Sequence, residues 1–404
     1  MTVSVERSKR ATPFAEFVII LSLLMALTAL SIDAMLPALS SIGSELGVAR
    51  PNDRQMMITI IFFGQAIGQL FFGPLSDKVG RKPAIFSGYI LFILGSLLSL
   101  FSRDFPTMLA GRALQGLGVA APRVVSMALV RDKFEGRKMA RVMSFISTVF
   151  ILIPMIAPSI GQGIVSIAGW RSIFSFFVIF ALITLTWFSV RIPETLALEN
   201  RKPFSLRAIF SSTVEILKIR TALGYTLAIG LVQGAFLGYI NSSQQIFQEQ
   251  YALGERFPLF FSTVALSLGI ASLVNTRLVM RYGMRLLVRW AFSGLIGLAV
   301  LFGVIAFIFS GQPPLWMLMT YLMTSFFCIG ILFGNLNSMA MQPLGHLAGI
   351  GAAIVGSFSA LLATLLGMVI GRSYNGTILP FMVGMVVLSS IAVFVSRWAE
   401  VEKD

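Results

Sequence analysis

Charged residues are scarce in this 404-residue chain: they make up 12% of it, against roughly a quarter in ordinary soluble domains. Hydrophobic residues account for 56%, and they fall in blocks of about 18 to 25 residues that hold few charges. Blocks of that length cross a hydrocarbon layer about 30 Å thick as helices, and no water-soluble fold of this size hides so much apolar surface. The sequence therefore predicts an all-α membrane protein.

Cysteine and histidine are nearly missing, with one residue of each kind, Cys328 and His346. A single cysteine excludes a disulfide framework, and without a Cys/His cluster neither a zinc site nor a nucleophilic triad can be assembled from the usual parts. An intramembrane aspartyl enzyme needs two carboxylates, and the spans offer one. We therefore expect no metal, no cofactor and no enzymatic activity.

Twelve apolar spans can be placed along the chain, in two groups of six. The first group covers residues 17–39, 56–75, 84–101, 107–130, 140–166 and 172–190, and the second covers 221–247, 257–280, 286–309, 315–339, 347–371 and 378–395. We predict an N-terminal six-helix half (1–195), a cytoplasmic linker (196–220) and a C-terminal six-helix half (221–404). Pro154 and Pro158 should bend the fifth span.

Basic residues are distributed unevenly between the two ends of the spans. With the N-terminus inside, 23 of the 31 Lys and Arg residues fall on the cytoplasmic side and six on the outer side. Because basic residues are retained in the cytoplasm, both termini should be cytoplasmic. The first span lacks a cleavage site of the A-x-A type, so we expect it to be retained. Orientation also explains the net charge of +14, and we expect lipid but no nucleic acid as a partner.

The loop after the second span is repeated after the eighth. Residues 75–81 (LSDKVGR) match residues 278–284 (LVMRYGM) at the Leu, at a basic residue and at the Gly, with an offset of 203 residues. Two six-helix halves related by an axis along the membrane normal form a transporter architecture, with the substrate site between the halves.

Several motifs resemble one known family. Residues 73–82 (GPLSDKVGRK) read as the major facilitator signature between helices two and three. Residues 112–116 (RALQG) resemble the fourth-helix motif of drug/proton antiporters, and residues 158–161 (PSIG) resemble their fifth-helix motif, although Ala157 and Gln162 stand where Gly is usual. Residues 31–37 (SIDAMLP), 169–171 (GWR) and 193–195 (PET) are similar to the bicyclomycin-resistance-type subgroup of bacterial multidrug exporters.

The resemblance implies a major facilitator fold and a multi-pass transporter of the bacterial inner membrane. It implies a monomer that exports a small, largely apolar substrate in exchange for protons. It also marks five residues as parts of the antiporter motifs: Gln115, Gly116, Pro154, Pro158 and Gly161.

One carboxylate lies well inside a span. Of the 17 acidic residues, Asp33 is the only one placed there, about five residues, or roughly 8 Å, from the outer end of its helix. An intramembrane ionisable residue is costly and by default marks a functional site. Arg112 lies about six residues in from the outer end of its own span, so the two side chains can share a depth.

Burial favours the protonated form of such a carboxylate, whereas a nearby guanidinium favours the ionised form. A group balanced in this way can gain and lose a proton as access alternates between the two sides of the membrane. We therefore predict Asp33, with Arg112, as the proton-coupling site. A static ion pair that joins helices one and four is the alternative, and a structural or affinity-setting role remains open for Arg112.

Arg123 follows Arg112 by eleven residues, which returns it to within about 20° of the same helix face, roughly 16 Å deeper. Because two arginines on one face cannot both point to lipid, we expect Arg123 to line the cytoplasmic part of the cavity. There it would attract anionic groups of a substrate or repel cations. Snorkelling toward cytoplasmic water is the alternative.

Polar residues cluster in the seventh and tenth spans. The substrate-binding candidates there, in addition to Arg123, are Tyr239, Asn241, Gln244, Gln245 and Asn335. Hydrogen bonds between helices explain such residues equally well. The 35 Phe and 20 Met residues of the chain suit an adaptable apolar pocket.

The signature loop is expected to be a conformational latch formed by Gly73, Asp77, Gly80 and Arg81. Asp77 should cap the cytoplasmic end of helix two close to the N-terminus of helix eleven, near His346, where a helix dipole favours negative charge. Arg81 and Lys82 should bind nearby carbonyls or lipid phosphates. Met280 replaces the acid in the second half, so we expect one latch.

Three classes of function remain. An exporter that exchanges its substrate for protons is favoured, because antiporter-like motifs occur on helices four and five. A proton-linked importer of a nutrient or siderophore-like compound is the second class, and a channel, sensor or membrane enzyme is the third. The sequence does not specify the substrate.

Overall fold

The structure, a computed structural model, describes residues 12–400. Arg7, Lys9, Arg10 and Lys403, which contribute to the predicted charge asymmetry, lie outside this range. Within it the chain forms fourteen α-helices and no β-strand: α1 (Phe14–Asp33), α2 (Leu39–Glu45), α3 (Met56–Val79), α4 (Arg81–Leu100), α5 (Phe105–Lys133), α6 (Gly136–Ala168), α7 (Arg171–Arg191), α8 (Leu206–Lys218), α9 (Arg220–Gln244), α10 (Phe257–Tyr282), α11 (Met284–Ile308), α12 (Leu315–Met341), α13 (Ala348–Arg372) and α14 (Leu379–Glu400).

Twelve long helices correspond one to one with the twelve predicted spans, and α2 and α8 are the two short ones. The even number of crossings places both described chain ends at one face of the bundle, the terminal face, and the loops at 46–55, 245–256 and 373–378 at the opposite, distal face. The positive-inside rule predicts that the terminal face is cytoplasmic.

Each half is built around one central helix. In the N-terminal half α5 packs against α1, α3 and α4, and in the C-terminal half α9 packs against α12, α13 and α14. The two halves meet where α3 packs against α13 and α6 against α10. Small residues allow the closest contacts: a Cβ on Gly116 of α5 would lie 2.2 Å from the carbonyl oxygen of Ile61 on α3. Such small-residue contacts are typical of helix packing in membranes, where apolar burial drives little association.

The first helix is shorter than its predicted span. The sequence predicted a continuous span over residues 17–39, but α1 ends at Asp33 and a 3₁₀ turn, Leu36–Ala38, leads into α2. Pro37 explains this end, because it occupies the position four residues after Asp33 and lacks the N–H that would bond to the Asp33 carbonyl. Asp33 therefore lies at the end of a regular helix, not about five residues inside one.

The fifth predicted span is the long helix α6. Pro154 and Pro158 lie within it, and the helix continues through both. Whether the two prolines bend its axis stays a prediction.

Candidate functional site

Asp33 is buried close to where the two halves meet. The residue is 6% exposed, and among the residues that the structure describes its side chain has neither a salt-bridge nor a hydrogen-bond partner. Across the interface, Tyr239 of α9 lies close enough for an electrostatic interaction with the Asp33 carboxylate. The proton-coupling candidate of the first half therefore lies within electrostatic range of a substrate-binding candidate of the second.

Arg112 is fully buried but does not pair with Asp33. Its Nη2 donates to the carbonyl of Ser31 at 2.8 Å, its Nε to the carbonyl of Met57 at 2.9 Å, and its Nη1 to Oε1 of Gln115 at 2.7 Å. The static ion pair considered from the sequence is therefore wrong for this conformation. Arg112 does join α1 to α5, and also to α3, but it does so through backbone carbonyls.

The fourth-helix motif holds this arginine in place. Gln115 accepts from Arg112 and donates through Nε2 to Oγ of Ser96 on α4 at 2.7 Å. Gly116, the next residue, lets α3 approach. Gln115 and Gly116 thus position the helices around Asp33 without contacting its side chain.

The fifth-helix motif contacts the chain directly after Asp33. A Cβ on Gly161 would lie 1.8 Å from the carbonyl oxygen of Ala34, so only glycine permits α6 to lie this close to the end of α1. Pro158, one turn earlier in α6, is also buried. This contact fixes the backbone that carries Asp33.

Tyr239 lies in a cluster of aromatic rings from the second half. Its ring centroid is 4.7 Å from that of Phe326, 5.8 Å from that of Phe261 and 6.2 Å from that of Phe381. The Tyr239 hydroxyl and Oδ1 of Asn241 are both buried without a hydrogen-bond partner among the described residues. Buried polar groups are nearly always paired, so an unpaired one marks a place where water or a ligand can bind.

The other polar candidates are occupied by contacts within the protein. Asn335 donates to Oδ1 of Asn275 on α10 at 2.8 Å and to the carbonyl of Ile331 at 2.9 Å. Gln244 donates to the side chains of Gln248 and Glu249. Arg123 is half-buried on α5. Substrate binding by these three residues stays a prediction.

Gln245 belongs to a polar network that joins the two halves at the distal face. Its Nε2 donates to Oδ1 of Asn52 at 2.8 Å, and its Oε1 accepts from Gln55. Asn52 in turn donates to the carbonyl of Tyr374 at 2.7 Å and to that of Arg372 at 3.0 Å. These bonds join the first half to the second at the loops 245–256 and 373–378 and at the end of α13, and we call the set the distal gate.

Two ion pairs belong to the distal gate as well: Nη2 of Arg54 lies 3.0 Å from Oε1 of Glu249, and Nη2 of Arg372 lies 3.8 Å from Oδ1 of Asp53. The Tyr374 hydroxyl donates to the carbonyl of Gln245 at 3.4 Å. Burial, and the neighbouring charge of Glu249, raise the pKa of Tyr374 to about 12, so this hydroxyl remains a donor at physiological pH.

Sequence reasoning missed this gate apart from Gln245. A signal was present, because Arg54 and Arg372 are two of the six basic residues that stand on the outer side against the positive-inside bias.

The signature loop forms a network within the first half. Arg81 pairs with Asp77, and its Nε donates to Oδ2 of Asp132 at 2.9 Å. Lys82 Nζ donates to the carbonyl of Ser189 at 2.5 Å. Arg81 was expected to bind carbonyls or lipid phosphates, so its carboxylate partners differ from that expectation, whereas the carbonyl partner of Lys82 agrees with it. The side chain of His346, expected near Asp77, lies outside what the structure describes.

Glu194, in the PET motif, caps the helix that follows this loop. Its two carboxylate oxygens each accept a backbone N–H, from Arg81 and from Lys82, at 2.9 Å. Gly80 between the helices has φ +108°, and a Cβ there would lie 2.6 Å from Glu194. Gly73 faces both Val124 and, across the halves, Ala353 at ordinary distances. The loop is thus fixed to the start of the linker, and its role as a latch stays a prediction.

Comparison with known proteins identifies this architecture. The sequence profile of the Major Facilitator Superfamily matches residues 21–368. The chain belongs to the Major Facilitator Superfamily. The family resemblance drawn from the motifs is thereby confirmed, as is the twelve-helix fold. The family consists of membrane transporters of small molecules, which are not enzymes.

Two relatives and one solved structure illustrate this membership. The bicyclomycin resistance protein homolog of Haemophilus influenzae is 30% identical over 394 residues, covering 94% of this chain and 95% of that protein. The MFS-type transporter YdgK of Bacillus subtilis is 30% identical over 359 residues, covering 87% of each. The xylose transporter XylE of E. coli, in a partially occluded inward-open conformation, superposes with a TM-score of 0.71 at 15% identity, covering 96% of this chain and 98% of XylE.

Proposed function

We propose that this major facilitator transporter exports small, largely apolar molecules in exchange for protons and that Asp33 carries the proton. The observation that carries the proposal is the burial of Asp33 without a partner beside a closed distal gate. An ionised carboxylate without a partner costs far more to bury than the neutral acid does. The conformation that buries Asp33 away from water therefore favours its protonated form.

The cycle follows from this preference. When the distal gate is open, Asp33 takes a proton from the periplasm, and the neutral acid lets the two halves close over it. Opening at the terminal face then hydrates Asp33, so the proton leaves to the cytoplasm and substrate binds. The substrate-loaded transporter returns to the state with an open distal gate, where substrate leaves and Asp33 takes up the next proton. Arg112 positions α1 throughout, since its hydrogen bonds go to Ser31, Met57 and Gln115.

The second half supplies the surface for the substrate. Aromatic rings around Tyr239 offer an apolar wall, and the unpaired polar atoms of Tyr239 and Asn241 offer one donor and one acceptor. Such a surface favours an apolar molecule that carries a few polar groups. The bicyclomycin resistance protein homolog supports export as the direction.

One titrating residue implies one proton per cycle. Export of a neutral substrate then gains about 2.3 kcal/mol per 100 mV of membrane potential and about 1.4 kcal/mol per pH unit. A monovalent cation exchanges one charge for one, so only the pH gradient drives its export.

A proton-linked importer is the second candidate, because the same Asp33 can couple a proton to uptake. Acid-loaded vesicles distinguish the two. Substrate added outside alkalinises the lumen in an antiporter, whereas in a symporter protons move in the same direction as the substrate. A resistance profile of cells that express the protein, over neutral and cationic antibiotics with bicyclomycin among them, identifies the compound to use.

Asp33→Asn tests the proposal in liposomes that are energised only by a pH gradient. The amide keeps the shape and hydrogen-bonding capacity of the acid but cannot titrate, so uphill transport should be lost while the folded protein and substrate binding remain. Glu199→Gln, the same change at an exposed linker position, is the matched control and should transport normally. Substrate accumulation by Asp33→Asn would place the proton elsewhere.

A further inference from the structure

Helix α8, in the linker between the halves, exposes a row of apolar side chains. Phe210 is 71% exposed, Leu206 is 62% exposed, and Leu217 is also exposed. At 100° per residue these three positions fall within about 40° of one another. A contiguous row of this kind marks an interaction surface.

On either side of the apolar row, α8 has one side that packs against the protein and one that carries exposed basic residues. Ile216 is buried, and the helix packs against α9 and α13. Arg207 and Lys218 are exposed and lie about 60 to 120° around the helix from the apolar row. An apolar row beside basic residues is the pattern of a helix that lies in a lipid interface, with the basic groups directed to headgroups.

The position of α8 in the fold sets it at the membrane boundary. It ends at Lys218, two residues before α9 begins. There Arg220 stacks on the ring of Trp398, with its Cζ 4.9 Å from the ring centroid, and its Nε donates to the Trp398 carbonyl at 2.7 Å. Tryptophan and arginine at the end of a membrane-spanning helix mark the level of the headgroups.

We propose that α8 lies flat in the lipid interface at the terminal face and binds acidic phospholipids. Leu206, Phe210 and Leu217 insert among the acyl chains, and Arg207 and Lys218 bind the phosphates. The lipid layer is the occupant because the row is exposed, basic residues flank it, and the helix is held at headgroup level. This inference is independent of the direction of transport and of the proton site.

Fluorescence of a label at Phe210 tests the insertion. In the full-length Cys328→Ser protein, Phe210→Cys carries an environment-sensitive dye in nanodiscs of phosphatidylethanolamine, phosphatidylcholine and phosphatidylglycerol. Ser211→Cys, at an exposed position about 100° around the helix, is the matched control. We expect brominated lipids to quench the label at 210 and aqueous iodide to quench the label at 211.

Headgroup selectivity is measured with the same label. Brominated phosphatidylglycerol should quench it at least about twofold more than brominated phosphatidylcholine at equal mole fraction, because acidic lipid is enriched around basic residues. Arg207→Gln with Lys218→Gln should make the two lipids equal. Equal quenching by the two brominated lipids in the protein that keeps Arg207 and Lys218 overturns the binding of acidic lipid. Iodide quenching at 210 equal to that at 211 overturns insertion, and shielding from both quenchers shows that protein covers the row.

Discussion

Nη2 of Arg112 donates a 2.8 Å hydrogen bond to the carbonyl of Ser31, two residues before Asp33. The guanidinium therefore holds the backbone that carries the carboxylate and leaves the carboxylate itself unpaired. In the proposed cycle, Arg112 therefore positions the backbone and Asp33 titrates. This division predicts different consequences when each is changed.

Arg112→Lys should destabilise the protein, because an ammonium cannot reproduce the three directed bonds of the guanidinium. Each buried acceptor left without a partner costs about 1 to 3 kcal/mol, so the thermal midpoint in detergent should fall. Asp33→Asn should leave the thermal midpoint unchanged or raise it. In a double-mutant cycle the two changes should couple by less than about 0.5 kcal/mol. Strong coupling would show that Arg112 and Asp33 form a direct pair.

The distal gate should open more often when its Arg54–Glu249 ion pair is removed. The Glu249 side chain is 39% exposed, and ion pairs of this kind contribute up to about 1 kcal/mol. Glu249→Gln or Arg54→Gln should therefore raise the population of the open gate about fivefold at most. The measurement is the rate at which an impermeant thiol reagent modifies Asn241→Cys in the Cys328→Ser background.

Reversing the pair is the control for this experiment. Arg54→Glu combined with Glu249→Arg should return the modification rate toward that of the unchanged gate. An unchanged rate in the single variants would assign the closure to the remaining contacts, which are the amide network of Asn52, Gln55 and Gln245 and the Arg372–Asp53 ion pair.

Gly161→Ala should impair both stability and transport. The added Cβ meets the Ala34 carbonyl oxygen at 1.8 Å, and forcing α6 away from α1 costs about 1 to 3 kcal/mol, as overpacking does elsewhere. Gly163→Ala is the matched control, since a Cβ there has nothing within 4 Å. It should be neutral or slightly stabilising. Equal effects of the two substitutions in a thermal-shift assay would contradict the close contact.

The orientation of the chain can be tested at Asn200, an exposed residue of the linker. Asn200→Cys in the Cys328→Ser background should react with an impermeant thiol reagent in everted vesicles and be protected in intact spheroplasts. The opposite pattern would invert the predicted topology and place the distal gate in the cytoplasm.

The sequence determined that the chain lies in lipid, how many long apolar helices it forms, and which single carboxylate lies deep among them. Apolar runs must match a lipid thickness, so they can be read without knowledge of the fold. Asp33 could be found because an acid inside such a run is rare and costly. The motif residues Gln115, Gly116 and Gly161 could be identified by resemblance, but their contacts could not.

Only the tertiary structure decided which groups each polar side chain binds. Arg112 and Asp33 share a depth, yet the guanidinium binds the carbonyls of Ser31 and Met57, because side-chain reach and helix rotation are set by packing. The distal gate joins Asn52 and Arg54 to residues about 200 to 320 positions away, a separation at which no local pattern specifies contact. Length and polarity are local properties of a chain, whereas pairing depends on how two halves are placed against each other.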